Sequence, residues 1–137
     1  MSLEQSLHPS SIALGESLGS ADEVLERVAE LIVSNPLASS LGQSEVARLL
    51  REREELSSTG LSSGIAIPHC ASDKVADFVV GVLTVERPID FRSIDGKPTD
   101  LFFFVMGPRE ARNRHIKLLS AISKFAAQGD LLEQLST

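Results

Sequence analysis

At 137 residues with 42% apolar side chains, the chain has the length for one domain with its own core. Six Phe and no Trp or Tyr leave no stacking platform for single-stranded nucleic acid, and a net charge of −6 argues against nucleic acid and against insertion into an anionic membrane. An acidic chain suits a partner protein that is basic around its own site.

The single cysteine, Cys70, allows no internal disulfide and fits a reducing cytosol, so a cytoplasmic location is expected. No basic segment followed by an apolar core opens the chain, so no secretory signal is expected. Residues 1–19 are expected to hold a short strand around residues 11–14 or to stay partly loose. Ser20-Ala21-Asp22-Glu23 is a capping-box pattern, and Val24, Leu25, Val28, Leu31 and Ile32 follow at helical spacing. A helix is predicted over 21–34, ended before Pro36. Ser40 with Gln43 offers a second box. Val46, Leu49, Leu50 and Leu56 mark the buried side of a helix over 42–55.

Arg53 stands four positions after Leu49 and seven after Val46, in line with that apolar stripe. Arg51, Glu52, Glu54 and Glu55 point elsewhere. Arg53 has two readings. It lays its stem on the core with its head in water, or its fork faces an anion at the loop that follows. That loop is Ser58-Thr59-Gly60-Leu61-Ser62-Ser63-Gly64, then Ile65-Ala66-Ile67-Pro68-His69. Gly60 and Gly64 permit backbone shapes closed to other residues. Ile65 to Ile67 anchors the segment in a core. Pro68 lacks an N–H and ends ladder pairing, which puts His69 at a rim.

Val75 to Val85 reads as one long buried strand, and Asp95-Gly96 as a turn. Leu101 to Met106 is the most apolar run and is predicted to be the central strand. It is far too short to span a bilayer. A helix over 110–127 follows, with Ile116, Leu119, Ile122 and Ala126 on its core side, and a short helix around 130–136 closes the chain. His115 falls four before Leu119 and seven before Ile122, at the edge of the apolar face. It is either a core-edge histidine satisfied by a backbone bond or part of a site. The pattern is α/β, a single domain with a sheet covered by helices.

Arg53, His69 and His115 all abut loops. A neutral imidazole is a nucleophile at pH 7, and phosphoryl transfer to it requires in-line positioning and charge stabilisation. An arginine fork, a second imidazole and N–H groups of the Gly60–Gly64 loop would supply that stabilisation.

These pieces, with Pro88-Ile89-Asp90-Phe91, Asp95-Gly96-Lys97-Pro98 and Leu118-Leu119, occur in an order and spacing that resembles the IIA component of the fructose/mannitol class of the bacterial phosphoenolpyruvate:sugar phosphotransferase system. That class includes the nitrogen-regulatory IIA proteins. The resemblance implies a phosphotransferase system IIA type-2 domain over 1–137, with a mixed sheet flanked by helices. It implies His69 as phosphoryl acceptor, His115 as assisting histidine and Arg53 as phosphate stabiliser, with Thr59, Gly60 and Gly64 in the phosphate loop. It implies an HPr-type phosphocarrier as donor, and a IIB domain or a regulated partner protein downstream, with no cofactor and no metal. A regulatory module that binds partners without passing the group on is the alternative. A metal or thiol enzyme using Cys70 with a histidine is a third reading, for which no further ligand at sensible spacing is visible. Three features depart from the family pattern. Cys70 follows the histidine where a small residue is usual, and Leu61-Ser62-Ser63 has one glycine fewer, which stiffens the loop. By family standards the C-terminus stops early, so a clipped last helix is expected.

Overall fold

The computed structural model describes residues 7–61 and 63–126, so the helix predicted around 130–136 lies outside the described residues. The chain order is β1 (Leu7–Glu16), α1 (Ala21–Val33), a 3-10 turn (Pro36–Ala38), α2 (Gln43–Leu56), β2 (Ile65–Ala66), β3 (His69–Ser72), β4 (Val79–Ile89), β5 (Thr99–Pro108) and α3 (Arg112–Ala126). The five strands form one mixed sheet. β1 runs parallel to β4, β4 antiparallel to β5, and both β2 and β3 parallel to β5 on its outer side.

β5 is the central strand, as its composition predicts. Alternation sends Phe102, Phe104 and Met106 into the layer under α1 and α2. Leu101, Phe103 and Val105 go into the layer under α3, with Ile122, Leu118 and Leu119. All three phenylalanines are buried, and each contributes about 2–3 kcal/mol relative to exposure.

Ser20 caps α1 as its pattern predicts, its Oγ accepting from the Glu23 amide at 3.2 Å. The second box does not form. α2 begins at Gln43 with Gly42 as its cap and no side-chain bond, so Gln43 is the first helical residue rather than the third. The Ser40 hydroxyl turns instead to the Lys74 carbonyl. β1 is a full ten-residue edge strand rather than a short or loose one.

The strand expected over 75–85 is displaced toward the C-terminus. Asp77 accepts from the Phe78 amide through its own side chain, which delays the start to Val79. At the other end the strand continues through Pro88. Pairing with β1 stops at Val85, and the Thr84–Ile89 stretch bulges away from β5, so the proline removes no ladder bond. Two residues expected on core faces are exposed, Leu56 at 82% and Ile116 at 55%. Leu56 is the last residue of its helix. Ile116 lies about 100° around from the stripe that α3 buries, which is His115, Leu118, Leu119 and Ile122.

Candidate active site

β2 and β3 are one edge strand broken by Ile67-Pro68. Pro68 interrupts the ladder rather than ending it: its carbonyl accepts from the Val105 amide, and pairing resumes with His69 opposite Val105. His69 therefore heads an edge strand, half-buried, with β5 as its one neighbour strand among the described residues. Its Nδ1 lies 2.7 Å from the Ile67 carbonyl. A carbonyl only accepts, so Nδ1 carries the proton and Nε2 keeps its lone pair. Burial lowers the His69 pKa; the Ile67 bond opposes this, and the nearby Arg53 charge lowers it further.

His115 enters from α3. Its ring centroid is 5.7 Å from that of His69 at an interplanar angle of 68°. It is only 8% exposed, so it belongs to the buried stripe and not to its edge. Phe78 backs it edge-on at 5.6 Å, and Gly107 leaves room for that Phe, since a Cβ there would stand 2.3 Å from the Phe78 ring. His115 Nε2 is buried with no hydrogen-bond partner among the described residues. Burial first, and the neighbouring His69 second, push the His115 pKa down to about 4, so the ring is neutral at pH 7.

Arg53 comes from the last turn of α2. Its Nη1 donates to the Ser57 carbonyl at 2.8 Å, capping its own helix. Among the described residues no carboxylate lies within ion-pair distance of it, whereas Arg51 is bound to Asp22 and Glu26. Arg53 is near enough to His69 for its charge to act there.

The loop before His69 folds as a tight hairpin. The Leu61 amide donates to the Ile65 carbonyl, the Ile67 amide to the Thr59 carbonyl, and Gly60 pairs with Ala66. Gly60 permits a close approach, because a Cβ there would lie 2.9 Å from the Phe91 carbonyl and from Ser93 Cα. Gly64 takes a φ of 80°, and Ser63 before it also adopts a left-handed φ of 61°. The amides of Thr59, Gly60, Leu61 and Ser63 donate to Glu54, Ser58, Ile65 and Asp95 respectively. These four N–H groups are tied within the protein.

Glu54 is the residue that sequence reasoning misses. Read as pointing away from the apolar stripe, it is half-buried and accepts from both the amide and the hydroxyl of Thr59. The signal was present: Glu54 stands four after Leu50 and seven after Ala47, both buried. Burial raises its pKa against the opposing Thr59 bonds.

Cys70 points away from the histidines, as strand alternation requires, into the layer under α1 and α2. Burial pushes its thiol up to about 12, which keeps it protonated and unreactive at neutral pH. Among the described residues no group of three or more His, Cys, Asp or Glu is placed to hold a metal ion. No helix among them is long and apolar enough to cross a membrane.

The acidic net charge is unevenly spread. α3 carries Arg112, Arg114, Lys117 and Lys124 and no carboxylate. A cavity of about 420 Å³ lies elsewhere, walled by Asp22, Leu25, Arg51, Glu54, Phe91 and Arg92; neither histidine lines it. The histidine pair lies away from this cavity, with His69 half-buried at the sheet edge and His115 buried behind it.

The family model for the EIIA 2 domain of the phosphoenolpyruvate-dependent sugar phosphotransferase system matches residues 5–137. The chain is 36% identical to a nitrogen regulatory protein of Pseudomonas aeruginosa, over 97% of this chain and 85% of that one. It superposes on the crystal structure of nitrogen regulatory protein IIA-Ntr from Neisseria meningitidis with a TM-score of 0.88 at 32% identity, covering 97% and 89% of the two chains. The fold is also that of the mannitol IIA enzyme of Escherichia coli solved in complex with phosphorylated IIB, with a TM-score of 0.76 at 19% identity over 95% and 88%. With a match that spans nearly the whole chain, this protein belongs to the EIIA 2 family of the phosphoenolpyruvate-dependent sugar phosphotransferase system.

Proposed function

We propose that this protein is a cytoplasmic phosphocarrier of the regulatory branch, whose His69 accepts a phosphoryl group from an HPr-type carrier. The observation that carries the reading is the anchoring of His69 Nδ1 on the Ile67 carbonyl, beside a second imidazole whose Nε2 has no partner among the described residues. With Nδ1 protonated, the Nε2 lone pair attacks phosphorus in line. The N–P bond to His69 forms as the bond to the donor's histidine breaks, and the donor imidazole leaves with the electron pair. Positive charge that grows on the His69 ring strengthens the Nδ1–H bond to Ile67.

His115 with Nε2 protonated donates to a phosphoryl oxygen. As a neutral donor it stabilises the group in transit without adding a cation that would hold it too tightly. Arg53, which has no carboxylate partner among the described residues, supplies the charge. Thr59, Gly60 and Gly64 act indirectly: with most of the loop amides tied internally, they fix the hairpin that presents His69.

Nitrogen-regulatory relatives that match this chain over almost all its length favour a regulatory output. The mannitol relative, bound to phosphorylated IIB, supports onward transfer to a IIB domain as the second reading. The test is incubation with phosphoenolpyruvate, enzyme I and HPr-type carriers. Acid-labile phosphate is expected on the wild type and absent from His69→Ala. Label that survives that substitution would sink the assignment.

A further inference from the structure

We infer that Glu54 is a positioning residue for His69, acting through a chain of hydrogen bonds that sets which ring nitrogen is free; this rests on the phosphocarrier reading above. Four links are in place. One Glu54 oxygen accepts from the Thr59 amide at 3.0 Å and the other from the Thr59 hydroxyl. The Thr59 carbonyl accepts from the Ile67 amide at 3.1 Å. The Ile67 carbonyl accepts from His69 Nδ1 at 2.7 Å.

Each link removes one freedom. Bidentate capture by a carboxylate holds Thr59 in both position and rotation. Thr59 is 5% exposed, so water does not compete for its groups. A fixed Thr59 carbonyl holds the Ile67 amide, which faces the outer side of the edge strand, where β5 offers it no partner. The Ile67 carbonyl then aims the imidazole and keeps its proton on Nδ1. Glu54 touches neither His69 nor the incoming group. It acts through the hairpin, and a displacement of that ring by even an ångström misaligns in-line attack.

The chemistry also sets which replacement should rescue. Glutamine has the same shape. Its carbonyl takes the Thr59 amide, and its amide nitrogen donates to the Thr59 hydroxyl oxygen, so both bonds survive with one reversed. Alanine removes both and leaves two buried donors without partners.

The experiment compares wild type, Glu54→Gln, Glu54→Ala and Thr59→Val by two measurements. The first is ¹⁵N NMR of the His69 ring in the unphosphorylated protein, which reports the tautomer and needs no phosphoryl transfer. The second is the rate of labelling from phosphorylated HPr-type carrier. Glu54→Ala is expected to lose the dominance of the Nδ1–H form and to lower kcat by about tenfold or more with the carrier KM within about twofold. Glu54→Gln is expected to keep the wild-type tautomer and to stay within about threefold in kcat. Thr59→Val keeps the amide link and loses the hydroxyl, and falls between the two.

If Glu54→Ala gives the wild-type tautomer and kcat, the inference is overturned; equal loss in Glu54→Gln and Glu54→Ala overturns it too. If Glu54→Ala does not fold, Thr59→Val decides: a wild-type tautomer and rate in that variant rejects the chain of bonds. A shifted tautomer in Glu54→Ala, on a protein whose wild type takes no label, upholds the positioning and rejects the phosphocarrier reading alone.

Discussion

The two halves of the site are built on opposite plans. The His69 half is a hairpin at the sheet edge in which nearly every polar group has a partner: Glu54 on Thr59, Ser58 on Gly60, Asp95 on Ser63, Ile67 on His69. The His115 half is one imidazole on the buried stripe of α3, backed by Phe78 and with no partner for its Nε2 among the described residues. One half is held still by bonds it makes within itself. The other is held by packing. On the phosphocarrier reading proposed above, the first plan keeps His69 aimed and the second leaves His115 a donor for the transferred group.

The largest effect expected from disturbing that contrast is at Gly60. A methyl group there meets backbone at 2.9 Å on two sides, Phe91 and Ser93, and neither is the free end of a side chain. Gly60→Ala should cost about 3 kcal/mol in urea unfolding. A cost under about 1 kcal/mol would mean that the hairpin shifts freely and that its bonds do not hold His69 still.

The next effect is on the His115 half and is read through pH. The ring's pKa is about 4 in the folded chain against an ordinary value of 6.5. Between those values the unfolded chain binds the proton and the folded one does not. Stability contributed by the neutral ring is therefore complete above pH 6.5 and declines as the pH falls toward 4, by on the order of 2–3 kcal/mol. His69, whose pKa is also lowered, adds in the same direction, and Glu54, whose pKa is raised, works against it. His115→Phe fills the same apolar site without titrating, so the wild-type-minus-variant difference isolates the His115 contribution. A flat difference between pH 4 and 6.5 would show that His115 is hydrated in the folded state.

Arg53 comes third. Its bond to the Ser57 carbonyl is partly exposed and contributes about 0.5–1 kcal/mol. Arg53→Ala should therefore lower the melting temperature by only a few degrees while slowing labelling at least tenfold. The reverse ranking, a large thermal loss with unchanged labelling, would assign Arg53 to the helix end alone.

What the sequence made legible divides along physical lines. α1, β5 and the sheet-edge place of His69 are legible because their signals are local: a capping serine, an unbroken apolar run, a proline that delivers an imidazole. Arg53 stands out in the sequence because it extends a stripe, and that position leaves its role open. Glu54 extends a stripe as well, through Ala47 and Leu50. A glutamate among glutamates reads as solvated surface, and its Thr59 partner comes into reach only once the chain has turned. The passage of β4 through Pro88 was hidden for the same reason, since the harm a proline does depends on which neighbour strand is present. The burial of His115 depended on where Phe78 packs, a contact between residues far apart in the chain.

The smallest effect concerns stiffness in the hairpin itself. Ser63 holds a left-handed φ of 61° where glycine would sit without strain, and its amide is pinned to Asp95 at 3.0 Å. Ser63→Gly relieves about 1 kcal/mol of backbone strain and returns about half of that as extra freedom in the unfolded chain. The amide that Asp95 accepts is unchanged. A net gain of about 0.5 kcal/mol in stability follows, with labelling of His69 unaltered, because the bonds through Thr59 and Ile67 lie on the other side of the turn. If labelling slows although stability rises, the strained serine is itself part of what keeps the hairpin rigid, and the contrast between a fixed nucleophile and a waiting helper extends into the turn.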